Sequence, residues 1–392
     1  MITVEHNDAF WQGTNARISV ANEGDVPPAG LVEFVESAPE TRSLVYFRTS
    51  GSEGLPKWVG LSREAMLVSA KAVNEHLESS ARDRWIIALP LHHVGGFSIL
   101  SRCHASRAAW SVFDGRWDAA RYARQCADEE ITLASLVPTQ VYDLVKAGLN
   151  APGNLRAIVV GGGGMNREVA LRALELGWPV LQSFGMTETA SQIATEPLEH
   201  LRAGYDPEAL EVLPCWELQA DDGDILTVQG AALASGYAVG REDGQWIWQP
   251  IDGEVGLTTR DRVQLWHHGR RQFLRFLGRE AAFVKVLGEL VSLPELQSKL
   301  EELCLEAGLP PTSCLVWPVP DERQDTRLVL VGEIPEADLE ALCGKFNAGV
   351  PGYQKLGDVH RVESIPRTAL GKVDRVGMAT LFKTGLTRFS KD

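Results

Sequence analysis

The sequence has no apolar run approaching the length of a membrane span, no block of lysine or arginine, and no closely spaced cysteine pair. Each absence excludes a class of function. A bilayer core takes about 20 consecutive apolar residues to cross, so no membrane insertion is expected. The segment Met1 to Asn15, which holds Glu5, His6 and Asp8, has no apolar leader core either. A formal net charge of -14 with dispersed basic residues argues against nucleic acid and anionic membrane surfaces as partners. The six cysteines, at 103, 126, 215, 304, 314 and 343, form neither C-x-x-C pairs nor a regular framework. They read as reduced thiols of a cytoplasmic protein, not as disulfides or zinc ligands.

What is present supports more than one core: 392 residues, of which 44% are hydrophobic. A small-molecule anion bound by this acidic chain needs local donors, and one stretch offers them. The apolar run Leu44-Val45-Tyr46-Phe47 leads into Arg48-Thr49-Ser50-Gly51-Ser52-Glu53-Gly54-Leu55-Pro56-Lys57. Gly51 and Gly54 let backbone N–H groups converge on an anion, Thr49, Ser50 and Ser52 add hydroxyls, and Lys57 adds a mobile charge. The loop is not a Walker A motif, because Pro56 stands where its second glycine belongs and Trp58 follows Lys57.

Further along, apolar strands alternate with helical patterns and end in glycine-rich turns. Trp85–Leu89 breaks at Pro90 into Leu91-His92-His93-Val94-Gly95-Gly96 and then a helix carrying Arg102. Leu155–Val160 runs into Gly161-Gly162-Gly163-Gly164, which lacks the dinucleotide fingerprint since Asn166 stands at its last glycine. Pro179–Gln182 runs into Ser183-Phe184-Gly185-Met186-Thr187-Glu188-Thr189-Ala190-Ser191. This alternation predicts a mainly parallel sheet flanked by helices, with ligands at the carboxyl ends of its strands. Phe184 can lie against a purine, Thr187 can bond phosphate and Glu188 can hold Mg2+. After Asp221 the texture turns to short strands, predicting a small β subdomain. A compact α+β unit follows, ending in Ile365-Pro366-Arg367-Thr368-Ala369-Leu370-Gly371-Lys372.

Read together, residues 49–57, the run Phe184–Glu188, Thr259-Arg260-Asp261, Gly278-Arg279 and the segment ending at Lys372 resemble, in order, the motifs of adenylate-forming enzymes: acyl-CoA synthetases, luciferase and peptide-synthetase adenylation domains. The resemblance spans about residues 44 to 380. It implies an α/β fold with a large ATP- and acyl-binding domain over residues 1–278, made of a parallel sheet with flanking helices plus a small β subdomain. A small mobile α+β domain over 279–392 would follow. It also implies ATP, Mg2+ and coenzyme A, and a reaction in two halves, acyl-adenylate formation and then transfer to the thiol.

The same resemblance assigns catalysis to Lys372, Thr187, Glu188 and His93, and the metal to Glu188. Nucleotide contacts fall to Thr49, Ser50, Gly51, Ser52, Gly54, Lys57, Gly162, Gly163, Phe184, Gly185, Asp261 and Arg279, and the acyl pocket to His93, Arg102, Gly185 and Ser191. The stretches 89–100 and 185–195 look most like the o-succinylbenzoate-CoA ligase group of the menaquinone pathway. Arg102, nine residues after His93, matches an arginine that could pair with a succinyl carboxylate in some of that group. Three positions depart from the family spelling: Glu53 for a hydroxyl residue, Arg260 for glycine, and Ala281 for the usual hinge Asp or Lys. Members carry more sequence before the phosphate loop, so the chain looks like a shortened version. A ligase for another acid, or a nucleotide-binding protein without catalysis, are the other readings, and a homodimer is left open.

Overall fold

The computed structural model describes residues 8–20, 26–49, 57–321, 325–368 and 373–383. The chain divides into two compact units, one of residues 1–259 and 263–276, the other of residues 260–262 and 277–392.

The first unit is built on parallel strands. Ala109–Val112, Arg84–Ile87, Leu133–Leu136, Ala157–Val160 and Val180–Phe184 lie side by side in that order and all run the same way. Short Val-, Ile- and Leu-rich strands of this kind are buried on both faces and joined by helices, and Leu133–Leu136 and Ala157–Val160 are buried throughout. The chain steps from the Arg84–Ile87 strand to one side and then to the other. That reversal opens a crevice beyond the carboxyl ends of the strands, where the His93 turn, the glycine turn and the Phe184 run all emerge.

The strand-rich stretch from Glu217 onward divides between two sheets. Glu217–Ala220, Ile225–Gln229, Leu257–His268 and Arg271–Arg279 extend the large sheet, whereas Gly236–Gly240 and Trp246–Pro250 join a second sheet with Leu44–Thr49 and Lys57–Ser62. Those last two strands form an antiparallel pair in which Thr49 faces Lys57. Ser62 then caps the Arg63–His76 helix by accepting from the Ala65 N–H at 3.0 Å.

The second unit packs the Leu293–Glu306 and Glu336–Ala348 helices on a sheet of Phe283–Val286, Glu289–Ser292, Cys314–Asp321, Asp325–Gly332 and Val359–Arg361. Its core holds Leu296, Leu300, Leu328, Leu330, Leu339 and Phe346. All six cysteines are free. No helix among the described residues is long and apolar enough to cross a membrane.

Candidate active site

Arg102 is the most unusual side chain of the crevice. It lies on the Val94–Ser106 helix at 1% exposure. Its Nη1 donates to Ser135 Oγ at 3.1 Å, and its Nη2 donates to Ser98 Oγ and Ser191 Oγ, both at 2.9 Å. The guanidinium also lies 5.3 Å from the ring of Trp85. No carboxylate partners it among the described residues, and burial pulls its pKa down to about 10. A cation this deep with hydroxyl partners alone carries an uncompensated charge.

The helix that holds Arg102 starts at His93, whose extended backbone makes the cap. Close approach requires Gly96, because a Cβ there would come within 2.4 Å of the Pro90 carbonyl oxygen. The helix thereby packs directly on the Leu89-Pro90 turn. The His92 and His93 rings lie 4.2 Å apart between centroids and are tilted by 46°, both half-buried.

Ser191 reaches Arg102 from the other side through a second close approach. A Cβ on Gly185 would sit 1.7 Å from the Ser191 carbonyl oxygen, so only glycine permits the chain to fold back on itself there. Ala190 and Ser191 complete that fold with φ of 52° and 124°, strained values for residues with a Cβ. Between them and Gly185, Thr187–Thr189 forms a short 3-10 helix.

Glu188, on that short helix, is linked through Tyr237 to the start of the Lys57–Ser62 strand. Tyr237 Oη donates to its Oε1 at 3.3 Å, and its own carbonyl accepts from the Ala234 N–H at 2.8 Å. The Lys57 Nζ sits 3.4 Å from the centroid of the Tyr237 ring. Burial, then the Glu188 charge, raises the Tyr237 hydroxyl well above its ordinary pKa, so it stays a donor. Thr49 Oγ1 donates to the Lys57 carbonyl at 3.4 Å. Among the described residues no three acidic, His or Cys side chains cluster as a metal cage. A half-buried carboxylate such as Glu188 suits a Mg2+ that takes its other ligands from phosphate and water.

Phe184 stacks on Phe276 with centroids 5.1 Å apart and planes at 29°. Phe276 is 41% exposed. The glycine turn after Val160 has Gly162, Gly163 and Gly164 exposed, with Gly162 at φ 81°. In the second unit, Asp261 is 3% exposed and accepts from Arg279 Nε at 2.9 Å. Arg260, at the position where glycine is usual, is exposed on the opposite face of the same strand.

In the first unit Arg102 meets Ser191, Lys57 lies by the Tyr237 that bonds Glu188, and Thr49 bonds the Lys57 carbonyl, while His93, Gly162, Gly163, Phe184, Gly185 and Thr187 stand at or just beyond strand ends; Asp261 and Arg279 pair in the second. Ser50, Gly51, Ser52, Gly54 and Lys372 lie outside the described residues. Sequence reading did not anticipate Tyr237 and Phe276, which contact the candidates Glu188 and Phe184. Tyr237 and Phe276 stand 49 and 92 residues from their partners, and nothing local in the sequence marks either pairing.

The AMP-binding enzyme family profile matches residues 7–237. A 2-succinylbenzoate–CoA ligase of Bacillus licheniformis is 28% identical over 363 residues, covering 89% of this chain and 72% of the relative. The ligase of that name from Staphylococcus aureus is 26% identical over 367 residues, 91% of this chain and 70% of its own. Among solved structures, o-succinylbenzoate CoA synthetase of Bacillus subtilis in complex with the acyl-adenylate intermediate superposes with a TM-score of 0.69 at 25% identity, covering 85% of this chain and 68% of that one. The same synthetase in complex with ATP and magnesium ion gives 0.68 at 26% identity, over 84% and 68%.

Proposed function

The chain belongs to the AMP-binding enzyme family, and within it we propose that it is an AMP-forming acid–thiol ligase that joins o-succinylbenzoate to coenzyme A. In the first half-reaction one substrate carboxylate attacks the α-phosphorus of ATP. A bond forms from carboxylate oxygen to phosphorus, the bond between the α-phosphorus and the bridging oxygen breaks, and pyrophosphate leaves with the electron pair. In the second, the thiol sulfur attacks the acyl carbonyl, AMP leaves, and the thiol proton passes to water.

The observation that carries the substrate is Arg102. A dicarboxylate has one carboxylate to react and one to be recognised, and recognition requires a cation that no protein carboxylate already neutralises. Arg102 has hydroxyl partners alone, and half-buried Ser191 stands between it and the crevice. A substrate carboxylate at that hydroxyl compensates a buried charge that the protein leaves uncompensated.

The remaining residues divide the work on ATP. Lys57 and the donors of residues 49–54 hold the polyphosphate, and Thr187 bonds a phosphate oxygen. Glu188, oriented by Tyr237, would hold Mg2+, which when bound supplies positive charge against the phosphates. Phe184 and Phe276 offer a ring face to the purine, while Asp261 and Arg279 take the ribose. Lys372 belongs to adenylation and not to thiol transfer, so the 279–392 domain has to move between the two half-reactions. We place the protein in the cytoplasm, where its six thiols stay reduced.

The test is a coupled assay of AMP and CoA-thioester formation with ATP, Mg2+ and CoA, on o-succinylbenzoate beside benzoate and a medium-chain fatty acid. Turnover on o-succinylbenzoate, lost in Lys372→Ala, is the expected result. Turnover confined to a monocarboxylate overturns the substrate and keeps the ligase.

A further inference from the structure

Four consecutive glycines at 161–164 are a poor way to hold a ligand unless something fixes the turn. One side chain does so. Gln182, 6% exposed, accepts from the Met165 N–H through Oε1 at 2.9 Å. Its Nε2 faces the carbonyl oxygens of Ser183, Gly163 and Val160 at 2.9, 3.0 and 3.3 Å. The amide has one workable orientation, since turning it over would press Oε1 against three carbonyl oxygens and leave Met165 without an acceptor. Its own strand is braced in turn: the Gln182 backbone N–H donates to buried Glu196 at 2.7 Å, and Glu196 also accepts from Asp206 N–H and faces His200. Gln182 and Phe184 stand two residues apart on one strand and share its face.

We propose that Gln182 is the positioning residue for the purine of ATP: it fixes the peptide edge of the 161–164 turn in register with the Phe184 ring, so that edge and face of the base are read together. This rests on the reading above that the chain uses ATP. Gln182 itself touches no substrate and acts through the Gly163 carbonyl and the Met165 N–H.

Gln182→Glu tests it, because the carboxyl has the same outline and one titration restores the lost donor. Protonated, it donates to the carbonyl oxygens and accepts from Met165; ionised, it sets a negative oxygen against three carbonyls. Burial and the neighbouring Glu196 carboxylate both raise its pKa toward neutral pH, and Glu196 and His200 are the same in wild type, which serves as the pH control. ATP binding by calorimetry and acid KM by pyrophosphate exchange are measured on the full chain from pH 6 to 9. The expected result is an ATP Kd within about threefold of wild type at pH 6 and at least about tenfold weaker at pH 9, with KM for the acid unmoved, whereas Gln182→Met is about tenfold weak throughout. Gln182→Glu tracking wild type at every pH overturns the inference, as does an acid KM that moves in step with the ATP Kd. Wild type that binds no ATP removes instead the reading beneath it, and melting at pH 6, where the donor is restored, gives the folded reference.

Discussion

Ser191 Oγ accepts from Arg102 Nη2 at 2.9 Å, and Ser191 holds that position at a φ of 124°. The strain and the hydrogen bond have a common source. Gly185 lets the chain double back until the Ser191 carbonyl rests on its Cα, and the fold-back carries the hydroxyl to the guanidinium. Ser191→Ala loses the acceptor and keeps the strain, so it should cost about 1–3 kcal/mol. Ser191→Gly loses the same acceptor but relieves about 1 kcal/mol of backbone strain. Urea unfolding should therefore rank Ser191→Gly above Ser191→Ala, the reverse of what a regular backbone would give.

Arg102→Met separates recognition from stability. Replacing a buried, uncompensated cation by an apolar chain of similar length is expected to leave the melting temperature equal or higher. Catalytic efficiency on o-succinylbenzoate should fall about 100-fold, chiefly in KM, as befits loss of an ion pair made equally in ground and transition states. Arg102→Lys should recover only part of that loss, since a point charge cannot reproduce the fork. Loss of kcat with KM unchanged would place Arg102 at the reacting carboxylate instead.

Tyr237→Phe removes the hydroxyl that Glu188 accepts from and keeps the ring beneath Lys57. If Tyr237 orients Glu188 toward a metal, the Mg2+ concentration for half-maximal activity should rise about tenfold. Saturating Mg2+ should restore kcat. A variant with an unchanged Mg2+ curve would confine Tyr237 to packing.

Much of this arrangement was legible in the sequence, because what one strand and its following turn do is encoded locally. The Ser62 cap, the helix after His93 and the glycine turn after Val160 all follow from short-range spacing, and the structure has them. Pairings between distant segments were not legible. Nothing near Ser191 says that Arg102 lies opposite, and nothing near Gln182 says that its amide closes on a turn some twenty residues earlier. The strand-rich stretch after Asp221 shows the same limit. Its strand-rich texture was readable, though the Arg271–Arg279 strand was not, and the division between two sheets depends on partners as remote as Lys57–Ser62.

Gly185→Ala and Gly163→Ala offer a matched comparison. At Gly185 a Cβ would overlap the Ser191 carbonyl oxygen at 1.7 Å, whereas at Gly163 the nearest atom is a Pro138 side-chain carbon at 3.8 Å. Backbone atoms cannot give way as a flexible side chain can. Gly185→Ala should therefore lose soluble folded protein or more than about 3 kcal/mol, while Gly163→Ala should melt within a few degrees of wild type.

Asp83 tests the opposite end of the parallel sheet, away from the crevice. Its two oxygens accept from Arg156 Nε and Nη2, both at 2.9 Å, and from the Ser80 N–H and Thr132 Oγ1, both at 2.8 Å. Burial pushes the Asp83 carboxyl up, but these bonds together outweigh it and hold its pKa below the ordinary value. A carboxyl with a lower pKa folded than unfolded stabilises above its unfolded pKa of about 3.9, and that stability is lost as pH falls through the folded value. Asp83→Asn should cost about 2–3 kcal/mol at pH 7, less than a fully buried pair because Arg156 is one-third exposed. Urea unfolding of both proteins should show the gap narrowing as pH drops below about 4, because wild type is then losing what the variant never had. Activity at pH 7 should be unchanged, since Asp83 precedes the Arg84–Ile87 strand at the end opposite the His93 turn. A gap that stays constant from pH 7 to 3.5 would mean that Asp83 stabilises by shape and not by charge.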